Sequence, residues 1–179
     1  MQCVLVTIVE TKGSTPRNFG AQMIVTADGI WQTIGGGALE FDLMARAKVM
    51  LASSGSSAWR RDLIKVTLGP DMGQCCGGSL SLLLEKFGPT EETTLKVIAA
   101  ATDVDTQLAH PFVDSIPLRV AKSVEQSNRS LVILPIDHRQ VPLFIYGAGH
   151  VGRAVVPRLH GLGFEVFLEI ACRHSAFLE

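Results

Sequence analysis

The stretch GQCCGG, residues 73–78, sets two adjacent cysteines, Cys75 and Cys76, in glycine-rich backbone, in a chain of 179 residues with four cysteines. Neighbouring side chains in extended backbone point to opposite sides, so adjacent cysteines rarely bridge each other. The spacing is not the C-x-x-C of thioredoxin-type exchange. A closed zinc site wants four Cys or His ligands in recognisable pairs, and His110, His138, His160 and His174 make no such spacing with one another. No Cys–His–Asn set for hydrolysis is visible, and Ser14 and Ser79 fall outside any G-x-S-x-G elbow. Two readings stay open. One is a pair of small hydrophobes packed in a core. The other is a thiol in a glycine-lined loop, where free amides lower its pKa and soft metals or sulfur can be handled.

Three other stretches carry residues suited to approaching an anion, with a tight strand–helix turn as the other reading of the two glycine clusters. In YGAGHVG, Gly147, Gly149 and Gly152 have the spacing of a dinucleotide-binding turn, in which amides meet a phosphate at a helix start. That fingerprint wants an acidic residue about 20 positions on, and Glu169 stands 20 after Gly149. His150, inside the motif, is a candidate ligand contact. In TIGGGALE, Gly35, Gly36 and Gly37 precede a helix whose first turn holds Glu40. In TKGSTPRNFGAQM, Ser14, Thr15 and Arg17 offer two hydroxyls and a guanidinium suited to phosphate or carboxylate.

The elements that must position these loops follow from periodicity. Residues 4–9 read as a buried strand, residues 21–26 and 30–34 as a hairpin turning at Asp28-Gly29, and residues 38–51 as a helix. Leu39, Leu43, Ala47 and Met50 share one face of that helix. Residues 60–67 and 80–87 read as strands joined by the cysteine loop, and residues 90–101 as a helix with Thr90 placed to cap it. Between residues 102 and 139 the pattern weakens, with a strand at 131–136. A strand at 141–146, the glycine turn, a helix at 151–160 and a strand at 164–170 then make one βαβ unit. The expected domains are 1–110, a linker 111–138, and 139–179. Since a complete doubly wound domain needs about 100–150 residues, the last is expected to be a truncated fragment. The fold class is α/β: an α+β N-terminal domain with a partial Rossmann-like unit. An exposed βαβ edge favours dimerisation or domain swapping.

Composition narrows the partners. With 16 basic and 17 acidic residues the net charge is −1 and the pI about 6.5, so no long-range field favours nucleic acid or an anionic membrane. No apolar run reaches the ~18 residues of a membrane span, and the N-terminus has no basic region of a signal peptide. The expected location is the cytoplasm, with Cys3, Cys75, Cys76 and Cys172 reduced.

VETKGSTPRNFGAQMIV, GGGALEFDLMARA and GPDMGQCCGG, in this order and followed by FIYGAGHVGRAV, resemble the XdhC/CoxI family. The resemblance spans residues 4 to 87 and resumes over 143–166. It implies a maturation factor for molybdenum hydroxylases. Such a protein binds molybdenum cofactor (a molybdopterin), supports exchange of an oxo for a sulfido ligand by a cysteine desulfurase, and delivers the cofactor to the xanthine dehydrogenase apoenzyme. Carried over by position, Cys75 and Cys76 lie near the metal or sulfur, with Gly35, Gly36, Gly37, Ser14, Thr15 and Arg17 lining the same pocket and Gln74 and Glu40 nearby. Gly147, Gly149, His150 and Gly152 open the family's Rossmann-like part. The implied role is a cofactor chaperone acting as a homodimer, with no catalytic residue of its own. Members usually continue GFEV into a strand ending in an aspartate; FLEIACRHSAFLE departs from that, which suggests a truncated or frameshifted end. The alternative is an NAD(P)-dependent oxidoreductase using GAGHVG, against which the incomplete second domain counts.

Overall fold

The computed structural model describes residues 2–53, 59–69, 77–101, 106–122, 125–136, 141–159 and 164–169. It forms two compact units, residues 1–136 and 137–179. The fold is mixed α/β, as expected: antiparallel sheets in the first unit and a parallel pair in the second.

The first unit is built on β1 (Cys3–Lys12), which pairs antiparallel with β2 (Gln22–Thr26) on one side and β5 (Ser79–Phe87) on the other. The hairpin partner β3 (Ile30–Gln32) and the edge strand β4 (Arg61–Thr67) complete a sheet of order β3-β2-β1-β5-β4. β1 outruns the expected strand because its pairing with β5 passes a bulge between Ile8 and Glu10 and continues to Lys12 opposite Ser79.

Each strand feeds two cores. Val4, Val6 and Ile8 of β1, with Leu80, Leu82 and Leu84 of β5, face α1 (Gly37–Ala52), where Leu39, Leu43, Ala47 and Met50 are all buried against them. The periodicity that predicts this helix also names its buried face. Its C-terminal carbonyls are held from the sheet: Lys86 Nζ donates to Leu51 O at 3.1 Å and Ser53 O at 3.0 Å, a cation where the helix dipole is negative.

The opposite face of the sheet carries a second layer. α2 (Pro89–Ala101) contributes Ile98 to a cluster with Trp59, Phe87 and Leu118. The helix begins at Pro89, so the capping expected of Thr90 passes to its neighbours. Proline suits the first helical position, and Glu91 reaches back to accept the Gly88 N–H at 2.8 Å and the Trp59 N–H at 3.1 Å. Residues 111–136, where the sequence suggests a linker, supply β7 (Arg119–Val120) and β8 (Leu131–Pro135), which flank β6 (Gln107–Pro111). Val132 and Leu134 of β8 bury against Leu83. Cys3 is half-buried beside this layer, and burial pushes its thiol pKa up, as fits a packed side chain.

A charged cluster lies inside that second layer. The Glu85 carboxylate accepts from Arg61 Nε at 2.8 Å through one oxygen and meets His110 Nδ1 at 2.6 Å through the other. The register sets Arg61 directly across from Glu85. Arg61 Nη1 also donates to Val113 O at 2.9 Å and Ile116 O at 2.7 Å, and its backbone N–H to Asp114 Oδ1 at 2.6 Å. One side chain thereby fastens the 112–117 loop to the sheet.

The second unit is one βαβ piece of parallel structure: β9 (Val141–Tyr146), α3 (His150–Val155), a single 3₁₀ turn (Val156–Arg158) and β10 (Phe164–Glu169), with β10 parallel to β9. The helix is shorter than its sequence pattern suggests because Pro157 has no N–H to continue the ladder.

Two measurements test this packing. Glu85→Ala leaves Arg61 buried without its carboxylate and is expected to cost about 3–5 kcal/mol in urea unfolding. At the surface, Arg119 grips Glu125 with both nitrogens, at 2.7 and 2.5 Å. That grip, helped by the Lys122 N–H, holds the Glu125 pKa down from 4.5 to about 2. A carboxyl depressed on folding stabilises the fold fully above its unfolded pKa and loses that contribution as pH falls through the folded one. NMR titration should therefore give a Glu125 midpoint near 2, returning towards the ordinary carboxylate range in Arg119→Ala.

Candidate functional site

β1 ends and β5 begins at the same end of the sheet, Lys12 opposite Ser79. The loop leaving β1 and the segment entering β5 therefore start as neighbours. Gly78 closes the approach: its N–H donates to Ser14 O at 3.0 Å, and its carbonyl accepts the Leu68 N–H at 2.8 Å. A Cβ on Gly78 would run into the carbonyl oxygens of Lys12 and Ser14, so only glycine allows this contact. Gln74, Cys75 and Cys76 lie outside the described residues. Gly78, two residues further along the chain than Cys76, sits against the Gly13–Ser14 backbone.

The triple glycine arrives from the other side. A Cβ on Gly35 would meet the Pro16 ring at 2.6 Å, so the GSTPR loop and the start of α1 touch. Gly35, Gly36 and Gly37 all hold positive φ, at 127°, 75° and 70°. Three consecutive left-handed residues explain three consecutive glycines. Glu40 holds the turn. Its Oε2 accepts the Thr33 hydroxyl at 2.5 Å, the Ile34 N–H at 3.1 Å and the Gly36 N–H at 3.1 Å. The Gly35 N–H goes to Thr33 Oγ1 at 3.0 Å. The amides of Ile34, Gly35 and Gly36 thus already have acceptors within the protein.

What faces solvent is narrower than the motif list. Thr15 Oγ1 donates to Arg17 O at 3.1 Å and shapes the turn. Ser14, Arg17 and Gly37 are exposed at the meeting point of the loops. An exposed guanidinium beside a hydroxyl and the first turn of a sixteen-residue helix can take an anionic group. Among the described residues no three His, Cys, Asp or Glu side chains converge to hold a metal ion.

In the second unit the three glycines divide their work. Gly147, at φ 117°, makes the turn out of β9, and its N–H donates to Glu169 O at 2.9 Å. Gly149 precedes the first residue of α3, His150, which is exposed. Gly152 is buried, and a Cβ there would strike the Gly147 carbonyl, so it sets the close approach of helix to turn. Glu169 ends β10 opposite Tyr146, at the tip where the fingerprint wants its acid. This pair of sites lies in separate compact units.

Sequence reasoning missed Pro16 and Gly78, whose contacts join segments far apart in the chain, and Thr33, whose hydroxyl acts locally between Glu40 and Gly35. It also missed the Glu85–Arg61–His110 cluster, for which a charge inside the apolar run SLSLLLEKF was the available signal.

Comparison with known proteins bears on the first unit. Residues 1–62 match the model of the XdhC and CoxI family, a span running from β1 through α1 that holds both the GSTPR loop and the triple glycine. The resemblance read from the motifs is borne out over that segment. Among solved structures, 94% of the chain aligns with a xanthine dehydrogenase from Bacillus halodurans at a TM-score of 0.65 and 18% identity. That likeness is one of fold, and the chain covers 58% of that protein's length. No curated protein sequence matches the chain.

Glu40 is the testable keystone of the loop cluster. Charge-assisted hydrogen bonds are each worth about 1.5–3 kcal/mol, with incomplete additivity. Glu40→Ala is expected to destabilise the first unit by at least about 2 kcal/mol and to raise amide exchange at Ile34 and Gly36 selectively.

Proposed function

We propose that the chain is a handling protein for the molybdenum cofactor. It supports sulfuration of the cofactor by a cysteine desulfurase and its insertion into xanthine dehydrogenase or a related molybdenum hydroxylase. The observation that carries this reading is the convergence of the GSTPR loop, the triple glycine and Gly78 at one end of the sheet, within a unit whose N-terminal segment matches the XdhC and CoxI family.

The residues present fit such a cargo. Arg17 and Ser14 suit the cofactor's phosphate, with the exposed N-terminus of α1 at Gly37 beside them. Cys75 and Cys76, which precede Gly77 and Gly78 in the chain, supply soft thiols suited to molybdenum or to sulfur. Glu40 fixes the glycine turn. The work is binding and hand-over, with no turnover by this chain, and its place is the cytoplasm. Among the described residues no helix is long and apolar enough to cross a membrane.

A second reading, nicotinamide-cofactor binding at Gly147, Gly149 and Gly152, draws on the parallel β9–β10 register and the position of Glu169. The two separate cleanly. Molybdopterin binding, followed by fluorescence and metal analysis, is expected for the wild type. Affinity should fall at least about tenfold, or 1.4 kcal/mol, in Cys75→Ser/Cys76→Ser and in Arg17→Ala. Binding indistinguishable between wild type and the double cysteine variant removes the thiols from the site. Binding of NADH that is lost in Gly149→Asp and unaffected by the cysteines favours the second reading instead.

A further inference from the structure

The hairpin between β2 and β3 turns through Thr26-Ala27-Asp28-Gly29, and Asp28-Gly29 is the single Asp-Gly pair in the chain. A glycine after an aspartate has no Cβ to keep its amide nitrogen from the neighbouring carboxyl carbon. Ala27 and Asp28 are exposed to water. Among the described residues no hydrogen bond or ion pair holds the Asp28 carboxyl, whereas Asp42 is paired with Arg46 and Asp114 accepts the Arg61 N–H. What restrains this turn is one hydroxyl. Thr26 Oγ1 accepts the Gly29 N–H at 3.2 Å and the Asp28 N–H at 3.2 Å, and donates to Gly29 O at 3.3 Å. Thr26 is 3% exposed, so its oxygen lies beneath the turn, sheltered from solvent.

We propose that Asp28-Gly29 is a site of spontaneous backbone modification, in which aspartate converts through a succinimide to isoaspartate at a rate set by the Thr26 hydroxyl. The step balances with water alone. The Gly29 nitrogen attacks Cγ of Asp28 and forms a C–N bond, while the carboxyl hydroxyl leaves with the amide proton as water. Water then adds back and opens the ring. Opening at Cγ restores aspartate. Opening at the main-chain carbonyl carbon routes the chain through Cβ and Cγ and leaves a free α-carboxylate. Nothing is oxidised or reduced.

The hydroxyl opposes the first of these steps in two ways. The nitrogen must give up its proton to react, and an amide held by an acceptor does so only when it opens locally. With the N–H groups of Asp28 and Gly29 on one oxygen, the ψ torsion of Asp28 between them is also held. The product changes the hairpin. One additional backbone carbon between residues 28 and 29 draws Gly29 O away from the Thr26 N–H, which it meets at 2.9 Å in the aspartate form. β3 is three residues long, lies at the edge of the sheet and pairs with β2 alone. Conversion therefore loosens Ile30, Trp31 and Gln32 and spares the rest of the sheet, whose strands keep their own partners.

Incubating the full chain at neutral pH under native conditions, with peptide mapping by electron-transfer fragmentation, tests this independently of the cofactor reading. Isoaspartate is expected to accumulate at residue 28 of the wild type. Thr26→Val keeps the shape and removes the hydroxyl, and should raise the rate about two- to tenfold, the span of one net hydrogen bond. Thr26→Ser keeps the hydroxyl and should stay near the wild-type rate, with melting curves showing that both variants are folded. A Cβ at residue 29 would meet the Trp31 ring only at ordinary contact distance, 3.7 Å, so Gly29→Ala should fold and suppress the reaction. Equal rates in the wild type and Thr26→Val overturn the proposal. So does a Thr26→Ser variant as fast as Thr26→Val, or a residue 28 that stays aspartate in all of them.

Discussion

Glu85 occupies the middle of β5 with 1% of its surface exposed, in a strand where Leu82, Leu83 and Leu84 are also buried. A lone carboxylate there would cost several kcal/mol of lost hydration. It is tolerated because Arg61 lies across the strand pair and His110 above it, each bonded to a different carboxylate oxygen. The consequence reaches past the pair. Once Arg61 is held by Glu85, its Nη1 is fixed in direction, and the carbonyls of Val113 and Ile116 are where it donates. The layer formed by β6, β7 and β8 is thus registered on the main sheet by charge geometry as well as by apolar contact. Apolar packing alone tolerates sliding; a carboxylate with two assigned partners does not.

The opposite side of the sheet uses a carboxylate in another way. Glu40 gathers backbone amides from the turn that enters α1, where three positive-φ residues leave donors that no regular structure would take. This frees the turn from needing an external anion to hold its shape. Any ligand that binds at this end of the sheet therefore meets a preformed surface, at the exposed atoms of Ser14, Arg17 and Gly37, and need not supply the energy of ordering the loop. The close contacts of Gly35 with the Pro16 ring and of Gly78 with the Ser14 backbone serve the same end, since they bring three loops together without flexible side chains.

How much of this was legible in the sequence depends on whether the cause is local. The helix α1 and its buried residues followed from spacing, the β2–β3 hairpin from Asp28-Gly29, and the parallel unit from strand, glycines and strand in order. Thr90 lost its capping role to a proline one residue earlier, a local signal given too little weight. In the small sheet, β8 follows from the strand pattern at 131–136, whereas β6, β7 and the pairing are hidden because these strands are short, bounded by prolines, and paired across intervals longer than any turn pattern reveals. Glu85 was hidden for a different reason. A charge in a strand reads as solvent-facing until its partners, 24 and 25 residues away, are placed. The glycines of the loop cluster were read as room for a ligand, whereas at Gly35 and Gly78 the room is filled by Pro16 and by the Lys12 and Ser14 carbonyls. Cys75 and Cys76, on which the sequence argument opened, lie outside the described residues, and their role rests on the Gly78 contact beside them.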